Sequence, residues 1–282
     1  MPLMLPGAPQ FSRYESDFPA TPANPGTAVN HGGVAHTKNT TWTQLIASTA
    51  FDAQLVIVTV TNNIVAGGDS CTLLDIGIGA ASSESVVIPD LLAGWVVGTT
   101  AAGGARHYIF PLYIPAGSRL SARTASVRTS GSVTVGTQLF GGPRDPERWW
   151  CGQQVTAYGI DTASSSGTEH TAGNSGAEST AAAIGTTSAD HDCIVFGVQG
   201  APATTTMNAL AYHFDVGIDA ASTSWLAQDA FFFVSTTSEA VGWAGSAHWP
   251  LFSKVPSGSE LAIGGECSGT AQALDFALYG VS

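Results

Sequence analysis

Charge is the scarcest commodity in this chain of 282 residues. Asp, Glu, Lys and Arg together make up 11% of it, while the hydrophobic share is 44%; the first figure is far below that of an ordinary globular domain and the second is near it. Disorder requires low hydrophobicity together with high net charge, so this composition excludes a disordered chain. Cations are rarest of all, nine Lys and Arg against 21 acids for a formal net charge of −12. Residues 1–150 hold eight basic and nine acidic side chains, net −1, whereas residues 151–282 hold Lys254 against twelve acids, net −11. A phosphate backbone is bound by displacing its counterions with Lys and Arg, so nucleic acid is excluded as a partner.

Other absences narrow the chemistry. Cys71, Cys151, Cys193 and Cys267 form no C-x-x-C pair, which excludes a zinc ribbon and a redox motif; four cysteines are enough for two disulfides, but their scatter over both halves favours reduced thiols used as small apolar residues. Seven histidines contain no H-x-H or H-E-x-x-H spacing, so neither a metal nor any other cofactor is expected. Asp190-His191-Asp192 sets two carboxylates on one face of a strand or turn, too few oxygens for a calcium loop. No segment approaches a membrane span, and Met1-Pro2-Leu3-Met4-Leu5-Pro6 lacks the basic start and apolar run of a signal peptide. Membrane insertion and export by a leader are therefore not expected. Gly173-Asn174-Ser175-Gly176 and Gly68-Asp69-Ser70 are faint nucleophile-like strings of a kind that a Gly/Ser-rich chain produces by chance. The expectation is that the chain is not an enzyme. No stretch carries a capped helical stripe; Pro89-Asp90-Leu91-Leu92-Ala93-Gly94 has room for one short helical turn.

What the chain does contain is a repeat. Asp75-Ile76-Gly77-Ile78-Gly79-Ala80-Ala81-Ser82-Ser83 is answered by Asp215-Val216-Gly217-Ile218-Asp219-Ala220-Ala221-Ser222-Thr223. At nearly the same offset, Phe110-Pro111-Leu112-Tyr113 matches Trp249-Pro250-Leu251-Phe252, and Ile114-Pro115-Ala116-Gly117-Ser118-Arg119-Leu120 matches Val255-Pro256-Ser257-Gly258-Ser259-Glu260-Leu261. Matches this extended point to an internal duplication. Within the repeat, Leu74, Ile76 and Ile78 alternate with Asp75, Gly77 and Gly79, and Phe214, Val216 and Ile218 with Asp215, Gly217 and Asp219, the period of a strand with one buried face. Leu55-Val56-Ile57-Val58-Thr59-Val60 is apolar on both faces and reads as a central strand.

Many short strands punctuated by Gly, Ser and Asn predict an all-β fold of two tandem antiparallel β-sandwich domains, jelly-roll-like, with an extended N-terminal arm. The arm spans 1–35, where six of the fourteen prolines fall; the first sandwich spans 36–142, a linker 143–167, and the second sandwich 168–282. Phe11, Tyr14 and Phe18 are spaced along the arm as docking aromatics, and Trp149 and Trp150 in the linker are expected to wedge against a domain or partner. Trp225 and Trp243, with Asp229 between them, form a candidate saccharide platform, since an indole covers a sugar's apolar face while carboxylates and amides take its hydroxyls. Arg106, Arg119, Arg123 and Arg128 make the nearly neutral first half the expected docking half, because Arg suits permanent interfaces.

Leu74-Asp75-Ile76-Gly77-Ile78-Gly79, Val87-Ile88-Pro89-Asp90-Leu91-Leu92 and Phe110 through Leu120 together resemble domains of virion proteins of tailed bacteriophages, of the tail-fibre, baseplate-peripheral or head-decoration type. The resemblance covers the first domain well and the second in degraded form, with Glu260 where Arg119 stands. It implies a β-sandwich structural protein with no catalytic residues, residing in the virion after synthesis in the host cytoplasm. Its implied partners are further copies of the chain and other tail or capsid proteins; the acidic second half is expected to point outward and to contact the host surface, with glycan as the ligand. A tail-fibre or tail-tip station, anchored by the first domain, is the expectation; capsid decoration is the alternative station, and polysaccharide depolymerase a lesser alternative.

Overall fold

The computed structural model describes residues 13–17, 26–62, 71–94, 105–141, 151–200, 211–219, 224–234, 247–248, 250–270 and 273–282, with the side chains of 62, 228–234 and 247–248 outside the description. All regular structure among these residues is β. The first half contributes β1 (Arg13–Ser16), β2 (Thr27–Asn30), β3 (Thr43–Ile46), β4 (Ala53–Asn62), β5 (Thr72–Ile78), β6 (Ser85–Leu92), β7 (Arg106–Phe110), β8 (Leu120–Ser126) and β9 (Ser132–Gly141). The second contributes β10 (Val155–Tyr158), β11 (Thr168–Thr171), β12 (Ala182–Thr186), β13 (Cys193–Gly200), β14 (Ala211–Ile218), β15 (Ser224–Val234), β16 (Ala247–His248), β17 (Pro250–Leu251), β18 (Glu260–Cys267) and β19 (Ala273–Val281).

The strands form two tandem β-sandwiches with matching orders. In the first, a sheet β1-β9-β4-β7-β16, with β2 also on β9, faces the four-stranded sheet β3-β8-β5-β6. In the second, β10-β19-β13-β17, with β11 also on β19, faces β12-β18-β14-β15. Pairings between the named strands are antiparallel except that of β16, which leaves the second half to pair in parallel with β7, Ala247 opposite His107 and His248 opposite Tyr108. β4 lies between β9 and β7, as its two apolar faces require. The segments expected as arm and linker are not free of the sheets. β1 and β2 lengthen the pairing of β9, and β10 does the same for β19. Four-residue strands carry too little periodicity to be read from sequence.

A hydrogen-bonded clasp recurs in both halves. Thr49 Oγ1 donates to Pro115 O (2.7 Å) and Asp52 Oδ1 accepts from Ala116 N (2.8 Å); in the second half Thr187 Oγ1 donates to Pro256 O (2.7 Å) and Asp190 Oδ1 accepts from Ser257 N (2.7 Å). Each clasp turns on a glycine in left-handed backbone, Gly117 (φ 79°) and Gly258 (φ 84°), the conformation that a Cβ disfavours.

No helical turn forms at Pro89–Gly94, contrary to the sequence expectation. β6 runs through Leu92, and the pairing of Leu74 with Leu91 and Ile76 with Ile88 leaves Pro89-Asp90 as a bulge with Asp90 at φ 52°. An edge strand tolerates Pro at such a bulge because no ladder N–H is lost there. β6 would present unpaired backbone groups along its free edge. The second sandwich caps them with side chains: Tyr279 O–H donates to Asp90 O (3.0 Å) and accepts from Leu92 N (2.8 Å), and Gln199 Oε1 accepts from Gly94 N (2.8 Å). Arg106, fully buried, donates to Gly94 O (2.6 Å) and to Val198 O (2.5 Å), one carbonyl from each half. Tyr108 O–H donates to Leu92 O (2.6 Å). Apolar packing follows the same seam, for Val155, Cys193, Val195, Ala277, Tyr279 and Val281 of the second half belong to the first half's core. β13 is buried along its whole length because one face meets this core and the other meets Phe214, Val216 and Ile263 in its own sandwich.

Candidate functional site

Alternation along β5 and β14 puts Leu74, Ile76, Phe214 and Val216 into the cores and leaves Asp75, Gly77, Asp215 and Gly217 on the outer faces of the four-stranded sheets. Both aspartates are nonetheless buried, because an irregular segment crosses each outer face. In the first half it is anchored by Asn39 N to Thr124 O (2.8 Å) and His36 N to Ser126 O (2.7 Å), in the second by Ser179 N to Gly265 O (3.0 Å) and Cys267 N to Gly173 O (2.8 Å).

Around Asp75 the cover is ionic. Lys38 Nζ lies 2.6 Å from Asp75 Oδ1 and 2.8 Å from Asp90 Oδ1, Arg123 Nε donates to Asp75 Oδ2 (2.9 Å), and Asp90 N donates to Asp75 Oδ1 (3.0 Å). Trp42 lies over the Arg123 guanidinium, 4.5 Å from ring centroid to Cζ, and its benzo edge rests on Gly77. A Cβ at Gly77 would sit 2.7 Å from that edge. The carboxylate's charge is thus met on all sides from within the chain.

The equivalent face of the second sandwich has lost both cations. Gly264 stands across from Asp215 where Arg123 stands across from Asp75, and Glu178 precedes Ser179 where Lys38 precedes Asn39. Trp225 occupies the space of the missing guanidinium, its benzo edge 2.6 Å from where a Cβ of Gly264 would be. It comes from β15, on the opposite edge of the sheet from the Trp42 side, and is half-buried. The resulting face offers part of an indole beside carboxylates, with no Lys or Arg among its described residues. Such a surface suits a neutral, hydroxyl-rich ligand and disfavours an anionic one.

Asp190, His191, Asp192, Lys254, Val255 and Pro256 line a shallow cleft of about 310 Å³. Its polar groups do not converge. Asp190 is occupied by the Ser257 N–H, Lys254 lies 4.0 Å from Asp192, and His191 is buried with Nε2 2.6 Å from the Tyr158 hydroxyl. Burial lowers the His191 pKa, against the raising effect of Asp190 and Asp192. Among the described residues no cluster of three His, Cys, Asp or Glu side chains is placed to hold a metal ion.

The residues singled out from sequence fall in different places. Trp225 lies in a strand over Gly264, so packing on a glycine explains part of its burial. Of its proposed companions, Trp243 and the Asp229 side chain lie outside the described residues, as do Phe11, Phe18, Trp149 and Trp150. Tyr14 is 55% exposed on β1, with its ring 5.1 Å from that of Phe140. Arg106 does not face another copy; it is enclosed between the two sandwiches, where its fork reaches two carbonyls that no strand pairs. Arg119 pairs with Glu84 and Gln44, and Arg123 with Asp75, so both are engaged within the chain. Arg128 is half-exposed, and its charge helps to hold the His31 pKa down. Sequence reasoning missed Gln199, Asp275 and Tyr279, which lie on strands but face the seam. A polar residue repeated on one face of an otherwise apolar strand was the available signal.

No protein-family model matches the chain, and no curated protein matches it. Solved structures similar to it include the glycosylasparaginase PNGase F from Flavobacterium meningosepticum, 7% identical, with 96% of this chain and 96% of that chain covered and a TM-score of 0.31. A peptide-N(4)-(N-acetyl-β-D-glucosaminyl) asparagine amidase is 9% identical over 91% of this chain and 96% of that chain, with a TM-score of 0.30. The VP2 subviral particle of infectious bursal disease virus is 10% identical over 83% of this chain and 57% of that chain, with a TM-score of 0.22. Likeness of this degree assigns no activity or assembly to the chain. It does correct one expectation: two of these similar structures are of enzymes, so the reading of this chain as a non-enzyme is withdrawn.

Proposed function

We propose that the chain is a structural protein of a tailed-phage virion, a fibre or tail-tip component anchored by its first sandwich and presenting its second to the host surface. The observation that carries this reading is the buried seam. Arg106, Tyr279 and Gln199 tie backbone groups of one sandwich to the other, so a load or orientation imposed on one half passes to its neighbour. Unequal electrostatics add direction. The second half carries the net charge of −11 and a sheet face where Trp225 and Gly264 replace the ion-pair network of the first. Glycan, being neutral and hydroxylated, is the ligand class that this face fits.

Quantitative mass spectrometry of purified virions tests the proposal. Tens of copies or fewer per particle support a tail station, hundreds of copies move the protein to the capsid as a decoration component, and absence from the particle overturns the reading. Host contact is tested separately, by adding the purified chain before infection: reduced adsorption supports it, and unchanged adsorption at saturating protein rejects it. Removing residues 151–282 is not a usable test, since the first core loses Tyr279, Val281 and Val195 with them.

A further inference from the structure

Asp275, on β19, is 1% exposed. Its neighbours Leu274 and Phe276 belong to the second core, while Ala277 and Tyr279, on its own side of the strand, belong to the seam, so its carboxyl faces the seam. Oδ2 is 3.5 Å from Gln199 Nε2, and Oδ1 is enclosed with no hydrogen-bond partner. Its Cα partners across the sheet are Gln199 on β13 and Glu169 on β11.

Gln199 joins this carboxyl to both sandwiches. Its Oε1 holds the Gly94 N–H of the first half, and its Nε2 also donates to Ser165 O (3.1 Å). Ser165 Oγ in turn lies 3.2 Å from His36 Nδ1 in the first half. His36 and Ser165 both hold left-handed backbone, at φ 58° and 55°. Such strain persists only where the surroundings enforce it. The charged and titratable groups about Asp275 are Glu169, Asp161 and, across the seam, His36; the buried cation of the seam, Arg106, is committed to the Gly94 and Val198 carbonyls. Among the described residues no cation pairs with Asp275.

We infer that Asp275 is a proton-dependent catch between the sandwiches: carrying a proton it lets the seam close around Gln199, and losing that proton loosens the Gly94–Gln199 and His36–Ser165 ties. Burial pushes its carboxyl up to about 7, the charges of Glu169 and Asp161 push the same way, and the Gln199 amide and Gly167 N–H offset this only in part. A carboxyl raised in the closed state favours closure fully below its ordinary value of 3.8, and that contribution is lost as pH rises through about 7. The closed state therefore binds the proton more tightly than the open one does.

Hydrogen-exchange mass spectrometry reads the catch through the amides of Leu92 and Gly94, bound by Tyr279 and Gln199, with amides of β18 as the control. After correction for intrinsic exchange, protection of the seam amides is expected to fall about tenfold between about pH 6 and about pH 8, from a shift of 3.8 to about 7. Protection at β18 is expected to hold. Asp275→Asn should flatten the seam profile. Glu169→Gln, at an exposed residue that leaves the core untouched, should move the wild-type midpoint to lower pH by removing a repelling charge. A wild-type seam whose protection does not change, an equal fall in Asp275→Asn, or an unmoved midpoint in Glu169→Gln overturns the inference.

Discussion

Replacing Arg106 by Met keeps much of the side chain's volume and removes its fork of donors, so it isolates what the seam's hydrogen bonds contribute. The bonds lost include those of 2.6 Å to Gly94 O and 2.5 Å to Val198 O. A hydrogen bond to a charged group stabilises by about 1.5–3 kcal/mol, and each carbonyl left buried and unpaired costs about 1–3 kcal/mol. Against this stands the desolvation of a fully buried guanidinium, which lowers its pKa and returns part of the gain when the charge is removed. The net expectation is a destabilisation of about 3 kcal/mol, smaller than the sum of the losses. With a urea slope of about 3 kcal/mol per molar, the unfolding midpoint falls by about 1 M. Tyrosine and tryptophan fluorescence should also resolve two transitions, since the sandwiches have lost their main polar tie. Arg13→Met, at an exposed residue of β1, serves as the control and should move the midpoint by less than about 0.5 kcal/mol equivalent. An Arg106→Met midpoint within that control's range would refute the assignment of the seam to these bonds.

Gly264→Ala places a Cβ 2.6 Å from the Trp225 ring, so it should displace the indole and raise its solvent exposure; the readout is a red shift of the Trp225 emission, isolated by difference against Trp225→Phe. Gly117→Ala and Gly258→Ala meet open space but force left-handed backbone on Ala, so each should cost about 1 kcal/mol in urea unfolding, alike in the two halves. His31, held neutral mainly by burial and also by Arg128, has its pKa lowered to about 4. A depressed value means stability present above about 6.5 and lost as pH falls through about 4; with solvent screening the loss is about 1–2 kcal/mol, and His31→Gln should abolish that part of the acid dependence.

The elements legible in the sequence were those whose pattern is local. Leu74-Asp75-Ile76-Gly77-Ile78 alternates because one face is core, and its echo at Phe214–Ile218 alternates for the same reason. The Pro-x-Gly-Ser turns were readable because only a glycine sits comfortably at φ near 80°. What escaped depends on partners distant in the chain. β1, β2 and β10 are short pieces defined by β9 and β19, and Pro89-Asp90 is a strand bulge whose Asp90 N–H is taken by Asp75 and whose Asp90 carbonyl is taken by Tyr279. Arg106 read as a surface residue because Arg is seldom buried; the free edge of β6, which calls for donors, appears only once the sheets are assembled. The same holds for the candidate face around Trp225. Its indole was visible, but the loss of both cations around Asp215 emerges only when strand register aligns Gly264 with Arg123.

Scanning calorimetry of the intact chain at pH near 6 tests most directly whether the two sandwiches behave as one body, the property on which the proposed anchoring and presentation rest. At about 0.7 kcal/mol per residue, unfolding 282 residues together absorbs about 200 kcal/mol, and the account predicts a single peak whose calorimetric and van't Hoff enthalpies agree. Two peaks, or a calorimetric enthalpy near twice the van't Hoff value, would contradict it.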